Sequence, residues 1–101
     1  MEKYFSKKNS TIAYNAICEY QENHKRGKEA LEALLHKIDC IGAVDLDDHE
    51  IMLLARSLNY HARINEFSQD VYCEWDLEEF DGMSNEEYFY LLHVMLDSIK
   101  K

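Results

Sequence analysis

The amino-acid sequence predicts an all-α fold, a small bundle of four to five helices around a central helix at about residues 47–67. Three observations predict this. Apolar side chains recur every three, four and seven residues along most of the chain, which is the spacing of a helix face. The chain has no proline, and Gly27, Gly42 and Gly82 stand where the helical spacing lapses. A length of 101 residues, 47% of them apolar, indicates a single domain over residues 1–101.

Two helices are predicted on either side of Gly27. Ser10 is a candidate N-cap for a helix that runs to about Lys25, and a second helix covers residues 28–39. Their apolar stripes consist of Ile12, Ala13, Ala16, Ile17 and Tyr20 in the first helix and Leu31, Leu34, Leu35 and Ile38 in the second. Gly42 is then predicted to supply a turn, and residues 43–46 lead into the central helix.

The central helix is predicted to be apolar on two opposite faces. Asp47 and Glu50 have the spacing of a capping box at its start. One face consists of Ile51, Leu54, Ala55, Leu58 and Ala62, and the other of Leu53, Tyr60, Ile64 and Phe67. A surface helix needs only one such face, so we expect this helix to pack between two layers, or between its own chain and a partner.

The C-terminal third is predicted to end in another long helix. Residues 68–81 fit either a short helix or a strand, and helix is favoured because a single strand would have no strand to pair with. Ser84 and Glu87 have the spacing of a second capping box. The last helix has a main stripe of Tyr88, Leu91, Leu92, Met95 and Ile99, and Phe89, Tyr90, Val94 and Leu96 lie outside it. We therefore expect this helix to be apolar over most of its circumference.

The charge distribution excludes several classes of partner. The net charge is −9, and residues 66–98 contain ten acidic residues and no lysine or arginine. Such a surface repels phosphate backbones and anionic lipids, so we predict no direct nucleic-acid binding and no membrane partner. The longest apolar run, residues 88–92, is far shorter than the ~20 residues of a membrane span. Without a recognisable signal peptide, the chain is expected to be cytoplasmic.

Cysteine and histidine spacing gives little support for a metal site. Cys18, Cys40 and Cys73 form no CxxC pair, so we expect reduced thiols with raised pKa values rather than disulfides or a zinc knot. His36 and Cys40 stand four residues apart, a spacing that can share a metal ion, but further ligands would have to come together by chance. The acidic residues 45–50 lack the glycine and distal glutamate of a calcium loop. No metal and no cofactor are predicted.

Catalytic patterns are also missing from the sequence. No nucleophile stands beside a base, and three isolated glycines do not form a phosphate-binding loop. His61 and His93 are expected to be partly buried histidines, each satisfied by a carboxylate or a carbonyl group. We therefore predict that the protein is not an enzyme.

A protein-binding face is predicted near the C-terminal end, where acidic residues alternate with large aromatic residues. Aromatic side chains anchor interfaces, and carboxylates steer association and select the partner. The alternative is a solvated acidic rim with the aromatic side chains pointing inward. The predicted face consists of Tyr72, Glu74, Trp75, Asp76, Glu78, Glu79, Phe80, Glu86 and Tyr90.

These features predict a small acidic protein that binds and inhibits a larger macromolecule with a basic surface. In general make-up it is similar to phage inhibitors of host-defence enzymes and to toxin-immunity proteins, although no motif carries the resemblance. One alternative is a structural or regulatory homodimer in which self-association covers the surplus apolar faces. A second alternative is a helical protein that binds a metal or small ligand through its histidines.

Overall fold

The computed structural model describes residues 2–38, 42–65 and 85–100, without the side chains of residues 65, 85 and 100. These ranges contain four helices and two short strands. In chain order they are β1 (Glu2–Phe5), α1 (Lys7–Asn23), α2 (Lys28–Ile38), β2 (Gly42–Asp45), α3 (Asp48–Asn65) and α4 (Asn85–Lys100). The fold is therefore mostly helical, as predicted, but it is not all-α, and the number of helices in the described ranges matches only the lower end of the prediction.

The two strands form an antiparallel ribbon that the sequence analysis did not predict. The pairing runs from Glu2 opposite Asp45 to Phe5 opposite Gly42. Phe5 and Val44 are buried against the helices, whereas Tyr4 lies on the exposed side. Each strand has only four residues, too few for alternation of apolar and polar side chains to stand out. For this reason the sequence indicates no strand at residues 2–5, and residues 43–46 are predicted only as a lead into the central helix.

Helix α1 begins one turn earlier than predicted. Its N-cap is Ser6, whose Oγ accepts a hydrogen bond from the backbone N–H of Asn9 at 3.1 Å. Ser10, the predicted cap, lies inside the helix, is buried, and donates its hydroxyl hydrogen to the carbonyl oxygen of Ile38 at the end of α2. Both serines suit a cap by residue type, and the choice between them depends on this contact with α2.

The predicted capping box at the start of the central helix is confirmed. The backbone N–H of Glu50 donates to the carboxylate of Asp47 at 2.8 Å, and the N–H of Asp47 donates to the carboxylate of Glu50 at 3.1 Å. Lys37 in α2 also contacts Glu50 at 2.8 Å. The hydrogen bond from the Glu50 N–H is the largest cause of the lowered pKa of Asp47. The start of α3 is thereby tied to the end of α2.

Helices α1 and α3 form the centre of the bundle, and α2 and α4 pack on both of them. The rings of Tyr20 and Tyr60, near the ends of α1 and α3, are in contact. At the opposite end of the bundle, the end of α2 contacts the starts of both α1 and α3, through Ile38 with Ser10 and Lys37 with Glu50. Helices α1 and α3 therefore run in the same direction, and α2 runs against them. The core between the helices is made of fully buried side chains: Ile12, Ile17, Leu31, Leu34, Leu54, Leu58 and Leu92.

The two predicted faces of α3 are parts of one wide buried arc. Leu54 and Leu58 on the first face and Leu53 on the second are buried. Ser57 and His61 join the two faces, and both are fully buried. Ile64, predicted to be covered, is 47% exposed. Phe67 lies outside the described residues.

Candidate functional site

Seven of the nine residues of the predicted binding face lie outside the described residues: Tyr72, Glu74, Trp75, Asp76, Glu78, Glu79 and Phe80. The other two, Glu86 and Tyr90, lie on α4 and are both exposed. They are one helical turn apart and therefore share a face of the helix. The structure thus brings together the two described members of the predicted face, and the remaining seven stay a prediction.

Helix α4 presents an apolar strip between carboxylates on its solvent side. Tyr90 is 68% exposed and Val94, one turn further along, is 48% exposed. Glu86 precedes Tyr90 by one turn and Asp97 follows Val94 by one turn, and both acids are exposed. We call Glu86, Tyr90, Val94 and Asp97 the α4 outer face. Val94 was not among the predicted face residues, although its position outside the buried stripe and four residues after Tyr90 already indicated this face.

The inner side of α4 is anchored by a buried polar contact. The Tyr88 hydroxyl lies 3.0 Å from Nε2 of His61 in α3, and Nδ1 of His61 lies 3.0 Å from a carboxylate oxygen of Glu19 in α1. The amide nitrogen of Asn15 donates to the Tyr88 hydroxyl oxygen at 3.4 Å. We call Asn15, Glu19, His61 and Tyr88 the buried relay. It joins α1, α3 and α4 near the C-terminal ends of α1 and α3 and the start of α4.

One placement of hydrogens runs through these three bonds in a single direction. The Asn15 amide donates to the Tyr88 oxygen, the Tyr88 hydroxyl donates to Nε2, and Nδ1–H donates to the Glu19 carboxylate. This placement requires the neutral imidazole with its hydrogen on Nδ1. Burial lowers the pKa of His61, and the hydrogen bond and charge of Glu19 oppose that effect in part. His61 is therefore neutral at neutral pH.

The buried relay determines which side of α4 faces solvent. Two residues along a helix correspond to a rotation of about 200°, so the side chains of Tyr88 and Tyr90 point in nearly opposite directions. Tyr88 is fully buried, and its ring packs edge-on against the ring of Phe89, with the two ring centroids 5.0 Å apart. With Tyr88 held by His61, Tyr90 and Val94 must point outward. The relay thus positions the α4 outer face.

Comparison with protein-family models, with curated proteins and with solved structures finds no match to this chain. None of the described helices is both long enough and apolar enough to cross a membrane.

The predicted carboxylate partner is confirmed for His61, and the predicted partial burial is wrong for His93. His61 is satisfied by the carboxylate of Glu19, as expected. His93, expected to be partly buried, is exposed, because it lies on the solvent side of α4 between Tyr90 and Val94. The sequence could not name Glu19 or Tyr88 as partners of His61, since they lie 42 and 27 residues away and meet it only through the packing of three helices.

The described residues offer no set of side chains arranged to bind a metal. No three His, Cys, Asp or Glu side chains come together in ranges 2–38, 42–65 and 85–100. His36 is exposed on α2, and Cys40 lies outside the described residues, so the spacing of that pair remains untested. Cys18 is half-buried, and burial raises the pKa of its thiol as predicted. Cys73 also falls outside the described residues.

A groove between α1 and α2 is one concave feature of the described residues. It has a volume of about 220 Å³ and is lined by Tyr14, Glu32, Leu35 and His36. Leu35 is half-buried and the other three are exposed. Small-molecule sites are concave and bury most of the ligand's surface. A groove walled mainly by exposed side chains gives little support to the alternative of a small-ligand-binding protein.

Proposed function

We propose that this chain is a small, non-catalytic protein-binding protein that inhibits or regulates a larger macromolecule with a basic surface, and that the α4 outer face is part of its contact surface. The observation that carries the proposal is the exposure of Tyr90 and Val94 between the carboxylates of Glu86 and Asp97. Tyrosine is among the side chains that contribute most to protein interfaces. Carboxylates around such an anchor favour a cationic partner.

Charge complementarity favours a different protein over a second copy as the partner. In a twofold dimer the same patch meets itself. If the α4 outer face paired with itself in the antiparallel sense, Glu86 of one copy would lie near Asp97 of the other. Like charges at close range are unfavourable, and the α4 outer face itself contains no lysine or arginine to offset them. A lysine- or arginine-rich surface on a larger protein avoids this repulsion.

The proposal is tested first by identifying a partner and then by binding measurements with the purified partner. Captured proteins from the native host are expected to include a basic protein that is released as salt is raised, because exposed charge pairs are screened. Its affinity is then measured by calorimetry for the wild type and for Tyr90→Ala. We expect Tyr90→Ala to weaken binding at least about tenfold, equivalent to roughly 1.4 kcal/mol.

Two matched variants control for nonspecific effects. Tyr4→Ala removes a tyrosine that is also highly exposed, at 73%, but lies on the ribbon, and it should leave the affinity unchanged. Glu86→Lys reverses a charge on the α4 outer face and should weaken binding, whereas Glu32→Lys on α2 makes the same change elsewhere and should have a smaller effect. Equal affinity of wild type, Tyr90→Ala and Glu86→Lys for the partner would show that the α4 outer face is not the contact surface.

A further inference from the structure

We propose that the free protein forms a twofold dimer in which the outer face of α3 in each copy packs against the α4 outer face of the other copy. The outer face of α3 is a strip of exposed side chains that the proposed function does not use. These side chains stand four, three and four residues apart, so they follow one line along the helix. We call Met52, Arg56, Asn59 and Arg63 the α3 outer face.

The α3 outer face is cationic and contains no acidic residue. The guanidinium groups of Arg56 and Arg63 form no ion pair with any residue in the ranges 2–38, 42–65 and 85–100. Met52, which is 39% exposed, adds apolar surface beside them. Arginine pairs well with carboxylates because its planar group offers two parallel donors. This face therefore suits an acidic surface that also offers apolar contact.

The α4 outer face has the complementary charge and the same length. From its first to its last residue, each of the two faces rises about 16.5 Å along its helix. The carboxylates of Glu86 and Asp97 stand at the two ends of the α4 outer face, and the two arginines of the α3 outer face are about 10.5 Å apart along the axis. In an antiparallel pair of helices centred on these charges, each arginine is offset by about 3 Å from a carboxylate, which its long side chain can span. Tyr90 and Val94 then lie between the two ion pairs, beside Asn59.

The packing of α3 and α4 within one chain permits both contacts at once. The two helices pack against each other, and the end of α3 meets the start of α4 at the contact between His61 and Tyr88. At the other end, Lys3 in the ribbon donates to the carbonyl oxygen of Ser98 near the end of α4, and the ribbon leads into the start of α3. The two helices are therefore antiparallel. A twofold axis between the copies, parallel to these helices, places α3 of each copy opposite α4 of the other, again antiparallel, so every ion pair occurs twice.

This arrangement avoids the repulsion that opposes pairing of the α4 outer face with itself. The surface that meets its own copy is the pair of α3 and α4 outer faces, in which two arginines balance two carboxylates. The α4 outer faces of the two copies do not lie opposite each other. The dimer also covers Tyr90 and Val94, and the consequence of this covering rests on the proposed function. Because the same α4 outer face serves both contacts, a basic partner and a second copy exclude each other.

Two charge-reversed variants of the full-length protein test the dimer without any other partner. The first carries Arg56→Glu and Arg63→Glu. The second carries Glu86→Arg and Asp97→Arg. In either variant alone, both contacts of the dimer join like charges, whereas a mixture of the two variants restores opposite charges at both contacts.

Sedimentation equilibrium at low salt, where exposed charges are least screened, measures the association. We expect a monomer–dimer equilibrium for the wild type and self-association at least about tenfold weaker for each variant alone, because each reversal acts twice in the dimer. An equimolar mixture of the two variants should form a dimer that contains one chain of each.

The matched control combines Arg26→Glu with Lys28→Glu, which reverses two charges at the exposed α1–α2 turn. It should self-associate like the wild type, and circular dichroism should show unchanged helicity in every variant. A wild type that stays monomeric at every concentration would overturn the dimer, as would a dimer that persists in each variant alone or a mixture that stays monomeric. The effect of Tyr90→Ala on partner affinity tests the proposed function separately, so the two failures are distinguishable.

Discussion

Replacing Tyr88 with phenylalanine is the most direct test of how α4 is held. The change removes one oxygen atom and leaves the buried ring in place. The lost hydroxyl contacts Nε2 of His61 at 3.0 Å and the amide of Asn15 at 3.4 Å. Phenylalanine offers no hydrogen to Nε2, so a fully buried ring nitrogen loses the hydrogen bond that Tyr88 supplied.

The size of the effect can be worked from these contacts. A buried polar group left without a partner costs about 1–3 kcal/mol, and a lost hydrogen bond contributes roughly 0.5–1.5 kcal/mol to stability. The longer contact with Asn15 adds little to this loss of free energy. We expect Tyr88→Phe to lower the free energy of unfolding by about 2 kcal/mol. For a domain of this size that corresponds to a fall in Tm of roughly 8–16 °C.

Urea unfolding followed by circular dichroism at 222 nm measures this loss. The control is Tyr90→Phe, which removes the same atom from the same helix two residues away, where the side chain is exposed. An exposed hydroxyl is hydrogen-bonded to water in both the folded and the unfolded chain. Tyr90→Phe should therefore change the free energy of unfolding by less than about 0.5 kcal/mol. If the two variants differ by less than about 0.5 kcal/mol, the relay does not hold α4 and the reasoning is wrong.

Two further predictions concern the core and the α1–α2 turn. Leu54→Ala, which truncates a fully buried side chain on α3, should lower the free energy of unfolding by about 2–5 kcal/mol. Met52 on the same helix is 39% exposed, and Met52→Ala should lower it by less than about 1 kcal/mol. Equal losses of the two variants in urea titrations would contradict the burial of this face of α3. Gly27 has φ of +75° with open space around it, so Gly27→Ala should cost about 1–2 kcal/mol for backbone strain alone. Gly27→Asn should cost less, because asparagine tolerates this conformation better, and thermal unfolding that ranks the two in the opposite order would refute this explanation.

The helices could be predicted from the sequence because each has enough residues to show its spacing. Helix α2 is confirmed from Lys28 to Ile38, and residue 39, its predicted end, lies outside the described residues. The main stripe of α4 is also confirmed: Tyr88, Leu92, Met95 and Ile99 are buried and Leu91 is half-buried. A helix of sixteen residues repeats its pattern several times, whereas a four-residue strand turns only two side chains inward. The ribbon was missed for that reason.

The candidate site was predictable only in part, because spacing shows which residues share a face and not what covers it. The sequence analysis expected α4 to be apolar over most of its circumference. Of the four apolar residues outside the main stripe of α4, Phe89 and Leu96 are buried in the structure, and Tyr90 and Val94 are exposed. Periodicity treats all four alike. The contacts of Tyr88 with two other helices decide between them, and such contacts depend on residues far apart in the chain.

The ribbon has a consequence for the order in which the chain folds. Because Phe5 pairs with Gly42, the strands close a loop that contains all of α1 and α2. Closing a long flexible loop is entropically unfavourable, while helices and their short connections form from neighbours in sequence and are fast. Once α1 and α2 have folded back on each other, the ends of the loop are already close. We therefore expect the two strands to pair late in folding, after α1 and α2 have packed against each other.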